Sequence, residues 1–299
     1  MKTYEAEING FRTKMYLLGN IIIGIPTDLG PRILYVANAK RPDFNLFGVL
    51  PKVDTKTSEG VWKIIGGHRL WSSPETMPRS YSLDDKPVKI DVNKDTVTVQ
   101  GNPELSNSIQ KTITIKPFSE NSLQVGHTIS NIGRWPIQFA CWALSVMRPN
   151  GFAIVPIKPE EGRGSLLPDR HITIWPYTDL SDERLEFTDG YIFLKQRPNI
   201  VKPVKVGVAA NPSWTAYWVD GVAFVKEFAR EEAEYPDYGC NVEVYANSDI
   251  LELETLGPLR TVEPTKAIEH TEIWKILDVG DLATDPESVE HKLTKQLNK

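Results

Sequence analysis

The sequence predicts an all-β fold: a large antiparallel sandwich of two sheets, followed by a short C-terminal helix. Three observations lead to this prediction. About fifteen short runs rich in β-branched and aromatic residues follow one another, separated by Gly, Pro, Asn and Asp. Helical periodicity is absent before about residue 286. No Pro/Gly/Ser-rich linker and no internal repeat divides the chain, so we expect residues 1–299 to form a single domain.

Each predicted strand is one of these runs, bounded by residues that favour turns. In chain order the runs are 20–26, 32–37, 89–92, 96–99, 108–116, 122–130, 137–147, 151–157, 171–177, 190–196, 204–210, 216–228, 241–246, 250–256 and 267–277. The 22 prolines are scattered among them, as expected for loops and edge strands rather than helices.

Turn and helix signals complete the prediction. Three hairpin signals place Gly, which readily adopts positive φ, after Asn or Asp: Asn150-Gly151, Asp189-Gly190 and Asp220-Gly221. Beyond the last strand, Val289, Leu293 and Leu297 recur every four residues with charged residues between them. This spacing predicts a helical tail over about residues 282–299.

Composition and charge exclude several functions. The net charge is −5 and no basic patch contains interleaved aromatic residues, so we expect no nucleic-acid partner. No apolar run approaches the roughly 20 residues that span a membrane, and residues 1–7 lack the apolar core of a signal peptide. We therefore expect a cytoplasmic protein without a membrane partner. Cys141 and Cys240 lie far apart in sequence, which favours two free thiols over a disulfide. The oligomeric state is left open.

Two acids in one apolar run are the strongest functional signal. Glu252 and Glu254 are spaced i, i+2 in a strand-like segment, so they share one face while Leu251 and Leu253 take the other. Acids on a covered face are costly unless they bind something or line a cleft. Paired acids also suit general acid/base chemistry on sugars. The alternative is an edge strand whose acidic face is in water.

Residues 66–75 read as a polar glycine-rich loop with candidate binding groups. His68, Arg69 and Trp71 follow two glycines that let the backbone approach a ligand closely. Arg69 can donate two parallel hydrogen bonds to oxygen atoms of a ligand. The alternative is a buried turn in which Arg69 forms a structural ion pair.

Two further strands and a turn add candidates. Trp142 alternates away from the apolar residues of its strand, so it is either a stacking platform or part of a second core layer. His270 shares a strand face with Glu272 and Trp274, and we expect that face at the rim of a site or in solvent. Asp220 precedes a hairpin glycine and suits the turn as well as a binding role. Lys226 alternates with apolar residues, which favours an inward side chain paired with an acid.

Cofactors and metals are not expected. Phosphate-binding glycine loops, Cys-x-x-Cys pairs and the His-Glu-x-x-His motif are all absent. His270 and Glu272 have the spacing of two metal ligands on a strand, but no third ligand is evident nearby in sequence.

Taken in order, four segments resemble the galactose mutarotase-like superfamily, the β-supersandwich proteins that include the aldose 1-epimerases. The resemblance covers roughly residues 15–277. Its segments are residues 27–33 (Thr-Asp-Leu-Gly-Pro-Arg-Ile), 66–71 (Gly-Gly-His-Arg-Leu-Trp), 130–142 (Ser-Asn-Ile-Gly-Arg-Trp-Pro-Ile-Gln-Phe-Ala-Cys-Trp) and 253–255 (Leu-Glu-Thr).

The resemblance implies a mechanism and assigns roles. In the family, a glutamate takes the proton of the anomeric hydroxyl while an acid, usually histidine, protonates the ring oxygen. Glu254 matches the glutamate, and Arg69, Trp71, Trp142, Asp220 and His270 are the expected substrate-binding residues. The chain departs from the family where epimerases have Asn-His, because Cys141-Trp142 stands there. The candidate acid is then Glu252 or His68, and we expect His68 at the rim of the cleft.

Three functions follow from this resemblance, each with a small carbohydrate as partner. The first is a sugar epimerase or mutarotase that uses Glu254 as base. The second is a non-catalytic carbohydrate-binding protein that kept the cleft and lost the acid. The third is a sugar lyase or hydrolase on the same scaffold. A proton donor in the cleft beside Glu254 would favour the first.

Overall fold

The computed structural model describes residues 1–160, 162 and 166–297. Strands account for 53% of the residues and helices for 7%, which confirms the all-β class. The strands are Lys2–Ile8 (β1), Phe11–Leu18 (β2), Ile21–Pro26 (β3), Arg32–Ile33 (β4), Tyr35–Asn38 (β5), Val49–Thr57 (β6), Gly60–Gly66 (β7), His68–Ser73 (β8), Lys89–Asn93 (β9), Thr96–Gln100 (β10), Ile109–Ser119 (β11), Ser122–Asn131 (β12), Ile137–Val146 (β13), Phe152–Pro156 (β14), Ile172–Ile174 (β15), Leu185–Phe187 (β16), Tyr191–Lys195 (β17), Val204–Val208 (β18), Trp214–Val219 (β19), Val222–Phe228 (β20), Val242–Ala246 (β21), Leu251–Leu256 (β22), Arg260–Val262 (β23) and Ala267–Asp278 (β24).

Two large sheets dominate the molecule, as the sequence predicts. The ten-stranded sheet has the order β16-β17-β14-β19-β20-β24-β12-β11-β10-β9. The eight-stranded sheet has the order β15-β18-β21-β22-β13-β8-β4, and β23 also pairs with β13. The strands of these two sheets pair antiparallel, so the expected two-sheet antiparallel sandwich is confirmed.

Two smaller β units contain the strands β1, β2, β6 and β7, which were not predicted from the sequence. One is a four-stranded sheet of order β1-β2-β3-β5, and the other is the ribbon β6–β7. β1 and β6 are rich in Lys, Asp, Glu and Thr, and β1 is exposed along most of its length. A strand without a buried face lacks the apolar alternation on which sequence patterns depend.

The main core lies between the two large sheets. Val125 and Trp274 of the ten-stranded sheet and Phe139 and Leu253 of the eight-stranded sheet belong to one buried apolar cluster. Cys141 and Cys240 are both buried and free, as predicted.

The C-terminal helix covers part of the outer face of the ten-stranded sheet. It consists of Pro286–Val289, a π-helical turn Glu290–Thr294, and Lys295–Leu297. It begins later than residue 282, because the Asp285 side chain accepts a hydrogen bond from Ser288 N at 2.8 Å and caps the first turn. Residues 298 and 299 of the predicted tail lie outside the described residues. None of the described helices is long and apolar enough to cross a membrane.

The predicted hairpin signals have different outcomes. Asp220 and Gly221, at φ 48° and 84°, form the turn between β19 and β20, as expected. Asn150-Gly151 does not form a hairpin, because it joins β13 of the eight-stranded sheet to β14 of the ten-stranded sheet. A turn signal fixes the local backbone direction and leaves open which strands pair.

Candidate functional site

A cleft of about 390 Å³ lies on the outer face of the eight-stranded sheet, the face turned away from the ten-stranded sheet. Four of the predicted site residues, Arg69, Trp142, Glu252 and Glu254, meet there. The full lining is Val53, Thr55, Trp62, Ile64, Arg69, Glu75, Tyr81, Trp142, Leu144, Trp175, Tyr177, Pro203, Lys205, Tyr245, Asn247, Ile250, Glu252 and Glu254.

Strand alternation explains why two acids face this cleft. Leu251 and Leu253 of β22 belong to the core between the sheets, so Glu252 and Glu254 share the opposite face. Both acids are buried, at 7% and 0% exposure. The alternative of an edge strand in water does not apply, because β22 lies between β13 and β21.

Glu252 is held by Arg69. Arg69 Nη1 donates to Glu252 Oε1 at 2.7 Å, and the two side chains are 3% and 9% exposed. The guanidinium also lies 4.4 Å from the ring centre of Trp71 and 5.5 Å from that of Trp62. A charged pair this deeply buried is costly unless its hydrogen bonds are well placed, and the two indole rings beside the guanidinium confine it.

Glu254 is held by two groups at the floor of the cleft. Trp142 Nε1 donates to Glu254 Oε2 at 2.8 Å, and Lys205 Nζ donates to the same oxygen at 2.9 Å. Lys205 also lies 4.6 Å from the ring centres of both Trp142 and Trp175. Trp142 is therefore at once a buried member of a second apolar layer and part of the cleft lining.

A third acid joins this floor. Glu243 of β21 is paired in register with Glu254, and its Oε2 lies 2.7 Å from Lys205 Nζ. We call Lys205, Glu243 and Glu254 the cleft triad. Gly207 makes room for it, because a Cβ there would approach the Glu243 Cγ at 3.1 Å and the Trp175 ring at 3.2 Å.

The cleft triad shifts the pKa of each of its members. Burial raises the pKa of the Glu254 carboxyl, and Lys205 opposes that effect only in part. Burial, with the neighbouring Glu254 adding to it, raises the pKa of Glu243 well above its usual range. Burial alone would lower the pKa of Lys205, but the two acids outweigh it and raise that pKa well above its usual value. Lys205 therefore stays an ammonium, and the carboxyl groups bind protons more tightly than usual.

Aromatic side chains form the walls of the cleft. Its lining includes Trp62, Tyr81, Trp175, Tyr177 and Tyr245 in addition to Trp142. Tyr177 is 37% exposed, whereas Trp62 is buried. Aromatic walls above a polar floor suit a ligand with apolar faces and polar edges.

Three buried polar atoms of the lining have no hydrogen-bond partner among the residues that the structure describes. They are two donors, Trp62 Nε1 and Arg69 Nε, and one acceptor, Glu254 Oε1. Unpaired buried polar groups are uncommon and costly. A ligand with hydroxyl groups, which donate and accept, can pair with groups of both kinds.

The structure places His68 and His270 away from the cleft, between the two sheets. His68 is 0% exposed and donates to or accepts from Ser145 and His127, at 2.8 and 2.7 Å. His270 is 6% exposed and hydrogen-bonds Thr255 Oγ1 at 2.8 Å. The expectation of His68 at the rim and His270 at the rim or in solvent is thus corrected: Arg69 faces the cleft, and its strand neighbour His68 must face the other way.

An ion pair completes this interior network. Lys226 Nζ lies 3.1 Å from Glu272 Oε1, and Trp274 Nε1 donates to Glu272 Oε2 at 2.6 Å. Lys226 also donates to the carbonyl oxygens of Ala143 and Leu253, at 3.2 and 3.1 Å. The inward, acid-paired lysine expected from the sequence is therefore present. We call Lys226 and Glu272 the interior pair.

The interior network shifts pKa values downward. Burial lowers the pKa of His68 well below its usual value, and it lowers that of His270 to about 3. Burial alone would raise the pKa of Glu272, but Lys226 outweighs it and lowers that pKa to about 2. The histidines are therefore neutral and Glu272 is ionised at neutral pH.

One group of potential metal ligands lies in this network. Atoms of His68, His127 and Glu272 come within 4.8 Å of one another. The hydrogen bonds already account for the ring nitrogens: His127 Nδ1 donates to the His270 carbonyl at 2.9 Å, so its Nε2 accepts from His68. The Lys226 ammonium beside Glu272 opposes a further cation, and we assign no metal role.

Two other predicted binding residues lie outside the cleft lining. Trp71 packs edge to face against Trp142, with ring centres 5.4 Å apart, and lines a separate cavity of about 410 Å³. Trp71 thus supports Trp142 and Arg69 from behind. Asp220 occupies its hairpin turn, where its carbonyl oxygen accepts from Arg41.

Lys205 and Glu243 are functional candidates that the sequence analysis missed. Each stands between β-branched residues in its strand, as Val204-Lys205-Val206 and Val242-Glu243-Val244. The same alternation that singled out Glu254 was therefore available for both. What it cannot show is that β18, β21 and β22 are neighbours, which brings the three charges together.

Comparison with known proteins identifies the fold. The sequence matches no protein family and no curated protein. Among solved structures, a galactose mutarotase-like protein from Lactobacillus casei is similar over 92% of this chain and 100% of that chain, at TM-score 0.51 and 9% identity. A galactose mutarotase-like protein from Clostridium acetobutylicum is similar over 93% and 98%, at TM-score 0.50 and 10% identity.

A third similar structure is longer. It is a TPR-domain containing protein from Parabacteroides distasonis, matched over 90% of this chain and 47% of that chain, at TM-score 0.58 and 13% identity.

The two galactose mutarotase-like structures match nearly the whole chain, so this chain has the fold of the galactose mutarotase-like proteins, as the resemblance in its sequence implied.

Proposed function

We propose that this protein binds a small carbohydrate in the cleft and interconverts its anomers, as an aldose 1-epimerase does. One observation carries the proposal: the Glu254 carboxylate, whose Oε1 has no donor among the described residues, lies at the floor of an aromatic-walled cleft on a mutarotase-like fold. The glutamate that the sequence resemblance selects is the one found there.

The lining supports a sugar as the ligand. Aromatic rings such as Trp175 and Tyr177 can pack against the C–H faces of a pyranose. The unpartnered Trp62 Nε1 and Arg69 Nε can donate to its oxygen atoms. Both cations of the lining are already paired with acids, at 2.7 Å for Arg69 and 2.9 Å for Lys205.

The proposed chemistry begins at Glu254 Oε1. This oxygen takes the proton of the anomeric hydroxyl, the C1–O5 bond breaks with its electron pair going to the ring oxygen, and the protonated Glu254 then gives that proton to the ring oxygen. The open aldehyde rotates about C1–C2 and closes as the other anomer. A carboxylate whose pKa is raised by burial is a stronger base than an ordinary one, and Lys205 keeps its ionised form accessible.

Binding without turnover is the second candidate function. Glu254 is 0% exposed, and its Oε2 is occupied by Trp142 and Lys205. No histidine is present among the described residues of the cleft lining. A sugar that contacts only Arg69, Glu252 and the aromatic walls would be held without proton transfer.

Anomer exchange measured by NMR distinguishes the two functions. On a panel of aldoses, wild type should accelerate exchange, and Glu254→Gln should bind the same sugar with a rate lower by about 10²–10⁴. Trp175→Ala should weaken binding, because it removes a wall of the cleft. Trp135→Ala is the matched control, since Trp135 is 78% exposed and outside the lining.

Each outcome has a clear reading. Exchange at the buffer rate for both wild type and Glu254→Gln, with binding retained, would leave the carbohydrate-binding function alone. Absence of any binding, or equal effects of Trp175→Ala and Trp135→Ala, would refute the cleft as a sugar site.

A further inference from the structure

The cleft triad has an unbalanced charge. Lys205 is 4% exposed, and Glu243 and Glu254 are each 0% exposed. Two carboxylates and one ammonium give a net charge of −1 in a place closed to water. Arg69 does not correct the balance, because it is paired with Glu252 at 2.7 Å. An uncompensated buried charge is strongly disfavoured, so the triad is expected to take up a balancing positive charge.

One ammonium also holds the two acids close together. Glu243 and Glu254 are directly opposite on neighbouring strands, and Lys205 Nζ lies 2.7 Å from Glu243 Oε2 and 2.9 Å from Glu254 Oε2. Oε1 of each has no donor among the described residues. Two carboxylates cannot hydrogen-bond, because neither has a proton to donate, whereas a carboxyl and a carboxylate can. A single proton shared by the two acids therefore balances the charge and lets one acid donate a hydrogen bond to the other.

We propose that Glu243 and Glu254 share one proton at neutral pH, and that this pair is the acid as well as the base of the cleft. The catalytic use of the proton rests on the proposed function, but the shared proton itself does not. Glu243 is absent from the cleft lining, so it is a positioning residue that acts through Glu254.

The pair supplies the proton that the missing histidine would give. With the shared proton on Glu243, Glu254 Oε1 accepts the proton of the anomeric hydroxyl, and the pair then holds two protons. As the C1–O5 bond breaks and its electron pair goes to O5, Glu254 returns one proton to O5. The sugar has lost a proton at O1 and gained one at O5, and the pair is restored. Ring closure reverses these steps on the other face of C1.

Titration of the sugar-free protein tests the shared proton directly. With ¹³C-labelled glutamate side chains, NMR should show one wild-type carboxyl still protonated at neutral pH, and its signal should vanish in both Glu243→Gln and Glu254→Gln. In Glu243→Gln, Lys205 faces one acid, so the Glu254 midpoint should fall by about 1–3 pH units. Glu227→Gln is the control, because Glu227 forms a partly exposed 2.8 Å pair with Lys275.

The pH profile of anomer exchange tests the catalytic use. In Glu243→Gln the rate should fall, and the pH at which the base becomes active should move down with the Glu254 midpoint. A purely structural role for Glu243 would lower the rate without moving the profile, and would overturn the catalytic part of the proposal.

The titration tests the shared proton and the exchange assay tests the proposed function, so either claim can be refuted without the other. A shared proton in a protein that exchanges no sugar would refute the proposed function and keep the proton pair. Exchange activity in a protein in which neither Glu243 nor Glu254 is protonated at neutral pH would refute the pair and keep the function. If Glu243→Gln does not fold, the wild-type titration and Glu254→Gln decide the first question.

Discussion

The cleft triad and the interior pair are built from the same parts and differ in one residue. In the cleft, Lys205 and the Trp142 indole bind one carboxylate, Glu254, at 2.9 and 2.8 Å. Between the sheets, Lys226 and the Trp274 indole also bind one carboxylate, Glu272, but each at a different oxygen, at 3.1 and 2.6 Å. Only the cleft has a second acid, Glu243.

The two buried carboxyls have opposite pKa shifts. Lys226, with the Thr255 hydroxyl adding to it, lowers the pKa of Glu272 to about 2 although burial opposes it. Burial raises the pKa of Glu254, the neighbouring Glu252 adds to that effect, and Lys205 opposes it only in part. The ratio of acids to bases, more than the depth of burial, decides whether a buried carboxyl is an inert ion or a group that can exchange protons.

Acidification should expose the largest difference between the two regions. The interior histidines stay neutral in the folded protein, so as pH falls below about 6.5 they take up protons only in the unfolded chain. The free energy of unfolding then falls by about 1.4 kcal/mol per pH unit for each histidine. The loss of stability due to His270 continues down to about pH 3. Glu272 adds a further loss of stability as pH falls from the ordinary pKa of a glutamate to about 2. The cleft acids act oppositely, because their raised pKa values cost stability as pH rises above their ordinary range.

Urea unfolding as a function of pH measures this balance. The free energy of unfolding should fall steeply below about pH 6.5, and His270→Asn should reduce the slope. A slope that is flat between neutral pH and pH 5 would contradict neutral interior histidines.

Removing one acid from each region should give unequal losses. Glu272→Gln leaves the fully buried Lys226 ammonium without a counter-charge, at a cost of about 3–5 kcal/mol. Glu243→Gln leaves Lys205 paired with Glu254, so its cost should be nearer the average of about 1 kcal/mol for point substitutions. Denaturant midpoints at neutral pH make the comparison, and equal losses would show that charge ratio is not what separates the regions.

Replacing each indole by phenyl should have a smaller effect, again different in the two regions. A hydrogen bond to a charged group contributes about 1.5–3 kcal/mol, and its loss disfavours the carboxylate. Trp142→Phe should therefore raise the pKa of Glu254 and increase its protonated fraction at neutral pH. Trp274→Phe should raise the pKa of Glu272 from about 2 and leave it ionised at neutral pH. Carboxyl titration by NMR reports both, and a protonated Glu272 at neutral pH would contradict this.

The fold and half of the cleft follow from local patterns. The all-β class follows from apolar alternation and turn residues, and Glu252 and Glu254 follow from i, i+2 spacing. The strands without a buried face, such as β1 and β6, lack that signal and were missed. The two glycines before His68 led to the prediction of a loop, but the segment is a strand. His68 and Arg69 are neighbours in that strand, so they cannot both face the cleft.

The rest of the cleft depends on pairing between distant strands. Lys205 and Glu254 are 49 residues apart and meet only because β18, β21 and β22 are adjacent. Sequence spacing carries no information about strand order, so the charge ratio at the cleft floor could not be read from the chain.

The bonds of Lys226 to two backbone carbonyls also set how the sheets are aligned. Apolar faces tolerate small slides over one another, because dispersion contacts have little directional preference. An ammonium from β20 that must reach both Ala143 of β13 and Leu253 of β22 has no such latitude. Lys226 of the ten-stranded sheet therefore fixes the lateral position of β13 and β22, the strands that bear Trp142 and Glu254.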